Sequence, residues 1–404
     1  MASAQQPAAP LAGVTVVALE QAVSAPMCTR ALADFGARVI KVENPAGGDF
    51  ARHYDDVVNG PGGLAAHFVW ANRNKESVAL DLKAPEGIDI LHRLLDRADV
   101  LVSNLAPGST ARLGISPDQL RDRHPGVIAV EIDGYGAGGP LSHKRAYDLL
   151  AQSESGSCAV TGYPGKPAKP GPPIADISTG LYSALSIMAL LYSRDDRPRR
   201  GGAVNVSLFD TMMDLMGYPL TYTQHSGVDQ QPLGMSSPAV APYGAYPTAD
   251  GQTVVLGTTN DREWQRLARE IIERPDLADD PRFATNSDRV VNRAVLDEAI
   301  QSWCGRHDLV EVQKVADAAG IGNARYNLPS EVLEHPQLSA RDRWRTVQTP
   351  AGPIRAILPP PIIEGYEQPM GPVPGLGEHT DAVLAELGLS GNEIGWLREQ
   401  GVVA

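Results

Sequence analysis

Short runs of β-branched and apolar residues, separated by stretches of helical spacing, set the rhythm of the first part of the chain. Residues 14–19 (VTVVAL) and 38–42 (RVIKV) bracket residues 26–35, which have helical character and end at Gly36. Continuous apolar runs of this kind predict parallel strands covered on both faces, so the opening reads as a β-α-β unit. The rhythm continues with a strand at 78–82, an amphipathic helix at 85–97 with Ile88, Leu91, Leu94 and Leu95 inward, and strands at 99–103 and 127–132. Ligands of open α/β sheets gather beyond the carboxyl ends of strands. Four loops can therefore converge: 23–26, 44–52, 104–112 and 134–145. The glycine turn of a dinucleotide fold is missing after the first strand, where the chain reads Glu20-Gln21-Ala22-Val23-Ser24-Ala25-Pro26. The glycines of GYGAGGP, from Gly134, precede Pro140 and a polar stretch rather than a helix, so they form a loop.

Further on, Pro172 and Pro173 precede Leu181, Leu185, Met188, Ala189 and Tyr192 at helical spacing. This places Asp176 at or just before a helix start. Unpaired N–H groups and the positive end of the helix dipole there favour an ionised carboxylate, the form a nucleophile needs. A plain N-cap is the alternative reading. Residues 195–202 read as a basic turn, and 204–216 as an apolar segment with Asp210 and Asp214 at helical spacing. Residues 221–247 are rich in Gln, Ser, Gly and Pro and read as a boundary and a mobile loop ahead of a strand at 253–257. Residues 262–321 read as mostly helical around Trp264, Leu267, Ile271, Leu296, Ile300 and Trp303. From Val347 the chain returns to strand and loop, and it closes with a helix at 380–387.

A length of 404 residues with 43% hydrophobic content allows a large core in two domains, or one domain with an insertion. The net charge of -13 argues against nucleic acid and against an anionic membrane surface, so any anion pocket has to be local. Two polar loops suit a phosphate by composition, 47–52 with Arg52 and 72–77 with Arg73 and Lys75; solvated turns are the alternative. Cys28, Cys158 and Cys304 lie far apart and give neither a metal site nor a disulfide framework. The opening MASAQQPAAPLAG lacks the pattern of a signal peptide, residues before about Leu11 read as a polar tail, and no apolar run reads as a membrane span. A cytoplasmic location is the expectation.

Six ordered segments carry a resemblance. They are AVSAPMCTRALADFGARVIKVENPAGGD at 22–49; Asn72-Arg73-Asn74-Lys75-x-Ser77 with Asp81-Leu82-Lys83; Ser103-Asn104-x2-Pro107-Gly108; Tyr147-Asp148-x3-Gln152-x3-Gly156; Ala175-Asp176-x2-Thr179-Gly180; and Leu376-Gly377-Glu378-His379-Thr380. In these the chain resembles the family III CoA-transferases over nearly its whole length. The resemblance implies an α/β fold: a Rossmann-like large domain built from both chain ends (1–220 and 326–404), a smaller inserted α+β domain (221–325), and an interlocked homodimer. It implies CoA transfer from an acyl-CoA to a carboxylic acid, with no tightly bound cofactor and no metal. Asp176 would be the nucleophile, passing through an anhydride and an aspartyl-CoA thioester, with Tyr147 lining the acyl pocket and Asp148 orienting it.

CoA contacts carry over to Asn44, Lys75, Asn104, Leu105, Arg112 and Arg145, although Asn44 stands in for a basic residue and Leu105 for an aromatic one. Substrate contacts carry over to Val23, Arg52, Tyr54, Gly234 and Ser236. The racemase branch of the family has a His-Asp pair where this chain has Tyr147-Asp148, and a phenol with a reference pKa of about 10 is a poor proton shuttle near neutrality. A CoA-binding protein without activity is a further alternative, against which Asp176 and Tyr147-Asp148 argue. The stretch 234–238 lacks the polyglycine run of formyl-CoA transferase and looks more like the branch acting on C4 to C5 dicarboxylic acids. For a second carboxylate of such an acid the candidates are Arg52, His53, Gln224, His225 and the Ser236-Ser237 pair, with Arg52 expected to be the anchor.

Overall fold

The computed structural model describes residues 9–194 and 201–404. The expected polar tail before Leu11, up to residue 8, and most of the basic turn, residues 195–200, lie outside the described residues. The chain divides into two compact units: Met1–Ser155 with Pro170–Met216 and Ala340–Ala404, and Gly156–Lys169 with Gly217–Ser339.

In the first unit six strands form one parallel sheet: β1 (Thr15–Leu19), β2 (Arg38–Glu43), β3 (Lys75–Ala79), β4 (Val100–Ser103), β5 (Ile128–Asp133) and β6 (Gly202–Ser207). Their order is β3-β2-β1-β4-β5-β6. The chain winds outward from β1 in one direction, then crosses back to β4 and winds the other way. The carboxyl ends of β1 and β4 are thus neighbours whose following loops diverge, which opens a crevice between them.

Alternation along the strands explains why both faces are apolar. Val16 and Ala18 of β1 join Val39, Val100, Val102, Ile128 and Val130 in one core, covered by α1 (Ser24–Asp34). Val17 and Leu19 join Ile40, Val42, Val78 and Leu101 in the other, covered by a helix at Pro85–Leu95 and by Val383, Leu384, Ile394 and Leu397 near the carboxyl terminus. That terminus is tied to β3 through Thr380 Oγ1, which accepts from Ala79 N at 3.0 Å.

Two elements differ from the sequence reading. The third strand runs from Lys75 to Ala79 rather than over 78–82, because the charge of Lys75 is neutralised inside the protein and the polar residues Lys75, Glu76 and Ser77 enter the sheet. Residues 221–226, the start of the stretch read as a boundary and mobile loop, belong instead to a helix, Gly217–Ser226, of the second unit.

One helix, Ile174–Tyr192 (α2), is long and apolar enough by length and composition to cross a membrane, contrary to the expectation that no run reaches this length. Its inner face is built from small residues, Ala175, Thr179, Gly180, Ser183 and Ala184, with Ile187, and packs on α1. A β-carbon on Gly180 would lie 2.5 Å from the Ser24 carbonyl oxygen, so the helices meet backbone to backbone there. Leu181 and Leu185 lie on the outer face and are exposed.

The second unit has an antiparallel sheet of Tyr243–Pro247, Thr253–Gly257 and Gly322–Arg325, packed with helices Arg293–Cys304 and Leu309–Ala318. Its core includes the six apolar residues read from the sequence, from Trp264 to Trp303.

Candidate active site

The crevice between β1 and β4 holds a cavity of about 780 Å³. Its walls come from the loop after β1 (Gln21 to Ser24), the loop after β4 (Asn104 to Ser109), the end of β5, residues 144–149 and the start of α2. Asp176 lines it together with Tyr54, Tyr147, Asp148, Val23, Asn104, Leu105 and Arg145, so eight of the residues singled out in the sequence meet in one space. A second cavity of about 280 Å³ shares Gln21, Leu105 and Ser109 with the first and adds Asn44, Lys83 and Arg112.

Asp176 sits in the first turn of α2, three residues beyond the N-cap Pro173, rather than at the cap. The capping work is done from another element. Asp148 Oδ1 accepts from Ala175 N at 3.0 Å and its Oδ2 accepts from Gln152 Nε2 at 2.7 Å. The carboxylate favoured by the helix start is therefore Asp148. Asp176 itself is pushed up to about 7 by burial and by the neighbouring negative charge of Asp148. This corrects the expectation that the helix start would favour its ionised form. Burial also raises the Tyr54 phenol, as do the charges of Asp49 and Asp176; Tyr54 lines the same cavity as Asp176.

The loop after β1 is held in a demanding conformation. Ala22 has a φ of 60°, a region that costs a non-glycine residue free energy. Asp49 Oδ1 accepts from Ala22 N at 3.0 Å, and Asp49 Oδ2 accepts from the buried Lys41 Nζ at 2.8 Å. On the other side, Asn104 accepts from Gln21 N at 2.9 Å and donates to Gln21 O at 2.8 Å and to Ser24 Oγ at 3.2 Å. The Asn104 amide, expected to meet CoA, is thus used as a clamp across the crevice.

Two further expectations change for the same reason. Lys75 is buried and donates to Glu20 Oε1 at 2.6 Å, Asn72 Oδ1 and Pro26 O, and burial lowers its ammonium to about 8 against the pull of Glu20. Arg52 is buried in a two-pronged pair with Glu43, at 2.8 and 2.7 Å, and lies 3.8 Å over the Phe68 ring. Burial raises Glu43, but hydrogen bonds from Arg52 and the charges of Lys41 and Arg52 outweigh it and hold the carboxyl at about 2. Neither cation has a face left for a ligand. Lone basic residues in a sequence do not disclose the buried acid that engages them.

The second cavity instead presents Lys83, from the Asp81-Leu82-Lys83 segment, beside Arg112, whose guanidinium donates to Ser109 Oγ at 2.8 Å, and Asn44, whose Oδ1 accepts from Ala46 N at 2.9 Å. Sequence reasoning stopped at Lys75 and missed Lys83, although its place just beyond β3 marks the loop end of the sheet. It also passed over Gln21, Phe50 and His67, which line the larger cavity.

Gly234 and Ser236 belong to the second unit. Gly234 has a φ of +63°, and a β-carbon there would meet the Tyr163 ring at 2.2 Å; Ser236 Oγ donates to Tyr243 O at 2.6 Å. His225 and Gln224 lie in that unit on the helix Gly217–Ser226. His53 Nε2 is 2.9 Å from Gly47 O. Among the described residues no group of three or more His, Cys, Asp or Glu is placed to hold a metal ion.

A family model described as CoA-transferase family III matches residues 11–380. The chain is 31% identical to succinyl-CoA–D-citramalate CoA-transferase of Chloroflexus aurantiacus, over 99% of this chain and 100% of that one. It is 33% identical to succinate–glutarate CoA-transferase of Agrobacterium fabrum, over 94% and 96%. A crystal structure of a CAIB/BAIF family protein from Brucella suis superposes with a TM-score of 0.81 at 31% identity, covering 94% of this chain and 99% of that one. The match extends through every segment that lines the two cavities, and the chain belongs to family III of the CoA-transferases, as an enzyme of that class.

Proposed function

We propose that the protein moves CoA from an acyl-CoA to a carboxylic acid through Asp176, with a dicarboxylic acid among its substrates. The observation that carries this reading is a half-buried carboxyl, without a hydrogen-bond partner among the described residues, lining a cavity large enough for a thioester. A poorly solvated carboxylate is a better nucleophile than a hydrated one, and a pKa near 7 leaves about half of it ionised at neutral pH.

One Asp176 oxygen attacks the thioester carbonyl carbon; the C–S bond breaks and CoA leaves as thiolate, giving a mixed anhydride. The thiolate attacks the aspartyl carbonyl and releases the donor acid, leaving an aspartyl-CoA thioester. The acceptor carboxylate repeats the two steps in reverse order and frees Asp176 unchanged. No water or net proton is consumed, so the site has to exclude water rather than activate it. Asp148 holds the first turn of α2 through Ala175 N and so fixes Asp176, while its negative charge makes Asp176 a more basic carboxylate. The amino end of α1, at Val23 and Ser24, brings a positive dipole to the wall where an oxyanion would form. Lys83 and Arg112 in the second cavity and Arg145 in the first suit CoA phosphates, with Leu105 between the two spaces.

The dicarboxylate class is supported by the citramalate and glutarate transferases among the relatives. The racemase reading needs two opposed acid–base groups, and both oxygens of Asp148 are engaged as acceptors. A second copy of the chain suits the exposed apolar face formed by Leu181, Leu185 and Tyr192, the last 85% exposed. The test is exchange of isotope-labelled succinate and glutarate into their CoA esters. Wild type should exchange, and Asp176→Asn should lose roughly 10³-fold or more. Exchange by the variant at the wild-type rate would end the reading.

A further inference from the structure

A dicarboxylic acid bound at Asp176 leaves one carboxylate that takes no part in the reaction, and a donor or cation is needed to hold it in place. Arg52 cannot meet it, because Glu43 and Phe68 hold its guanidinium. Lys144 lines the cavity but pairs with Glu154 at 3.4 Å and lies 5.3 Å over the Tyr135 ring. Arg145 adjoins Tyr147 on the side given above to CoA.

A row of rings also reaches the cavity. Phe50 and Tyr54 are 5.7 Å apart, Tyr54 meets His67 edge-on at 5.7 Å and 85°, and His67 meets Trp70 edge-on at 6.4 Å. Tyr54 and His67 share this cavity with Asp176. Phe50, Tyr54 and His67 all line the cavity, and among the described residues no hydrogen bond engages either nitrogen of His67. The ring contacts fix the plane of the imidazole while leaving its nitrogens to a ligand.

We propose that His67 is the residue that reads the far carboxylate of a dicarboxylic substrate, with Tyr54 as the apolar rail between it and Asp176. The inference rests on the transfer reaction proposed above and adds the group that sets acid selectivity. An imidazole donates an N–H to a carboxylate in either protonation state and adds charge when protonated. The short aliphatic chain between the two carboxylates would lie against the Tyr54 ring.

The test compares acids matched in length, succinate against butyrate and glutarate against valerate, as acceptors of CoA from acetyl-CoA. The readout is the ratio of kcat/KM for the dicarboxylate to that for its monocarboxylate. His67→Phe keeps an aromatic edge against Tyr54 and removes both nitrogens; the ratio should fall about 10- to 100-fold, mainly through KM for the dicarboxylate. His67→Gln, which keeps a donor, should restore part of the ratio and serves if the Phe variant folds poorly. An unchanged ratio in either folded variant, equal losses for both acid classes, or a wild type without preference for dicarboxylates would overturn the assignment to His67. Wild-type exchange that depends on Asp176 but ignores His67 would sink this inference alone. Absence of exchange with every acid would sink the transfer reading with it.

Discussion

Asp176 and Asp148 show how one helix start can treat two carboxylates differently. Asp148 takes the backbone donor and Asp176 is left half-buried beside its charge. With the Asp176 carboxyl raised from an ordinary 3.8 to about 7, the folded protein binds more protons than the unfolded chain between those values. Stability therefore declines as pH climbs from about 4 to about 7, while the nucleophilic form grows over the upper part of that range. Two outcomes follow. The acid limb of kcat/KM should have its midpoint near pH 7. Asp176→Asn should melt at a higher temperature than wild type at pH 8, with the gap closing toward pH 4, in paired thermal scans. A variant that melts lower than wild type at pH 8 would show that the carboxylate is stabilised by partners rather than strained.

The same contrast explains what could be read from residues alone. Asp176, Tyr147 and Asp148 were legible because ordered motifs carry them, and they do share one cavity. Lys75 and Arg52 were misread because their partners, Glu20 and Glu43, are distant in sequence and the pairing is invisible until β1, β2 and β3 lie side by side.

At the scale of elements, the contact between α1 and α2 sets where Asp176 stands. Gly180 is one turn along α2 from Asp176, and its place in the crossing leaves 2.5 Å to the Ser24 carbonyl and 3.0 Å to Met27 Cβ for any added carbon. Alanine favours a helix interior over glycine by about 1 kcal/mol, so propensity alone predicts that Gly180→Ala stabilises. Overpacking at a backbone contact costs about 1–3 kcal/mol and here should win. Gly180→Ala should lower the melting temperature and reduce exchange about tenfold or more by displacing Asp176. A higher melting temperature with full activity would mean that the helices do not meet so closely. The apolar spacing of α2 was legible, but which face turns inward was not. The small residues pack on α1, while Leu181 and Leu185, which dominate the periodic pattern, face out.

For the whole molecule, the β-α-β rhythm announced a parallel sheet, and the loops it marked do line the two cavities. The strand order could not be read, because every strand is an interchangeable apolar run until the crossovers are seen. Yet the reversal between β1 and β4 is what creates the crevice, brings Gln21 against Asn104, and gives Asp176 a space to face. The central claim is that this space supports covalent catalysis by Asp176. The direct measurement is to incubate the enzyme with succinyl-CoA, quench with hydroxylamine, digest, and locate any hydroxamate by peptide mass spectrometry. The account predicts an aspartyl hydroxamate at Asp176, formed only when the CoA ester is present. An enzyme that turns over but carries no adduct, or carries it at Asp148 instead, would contradict it.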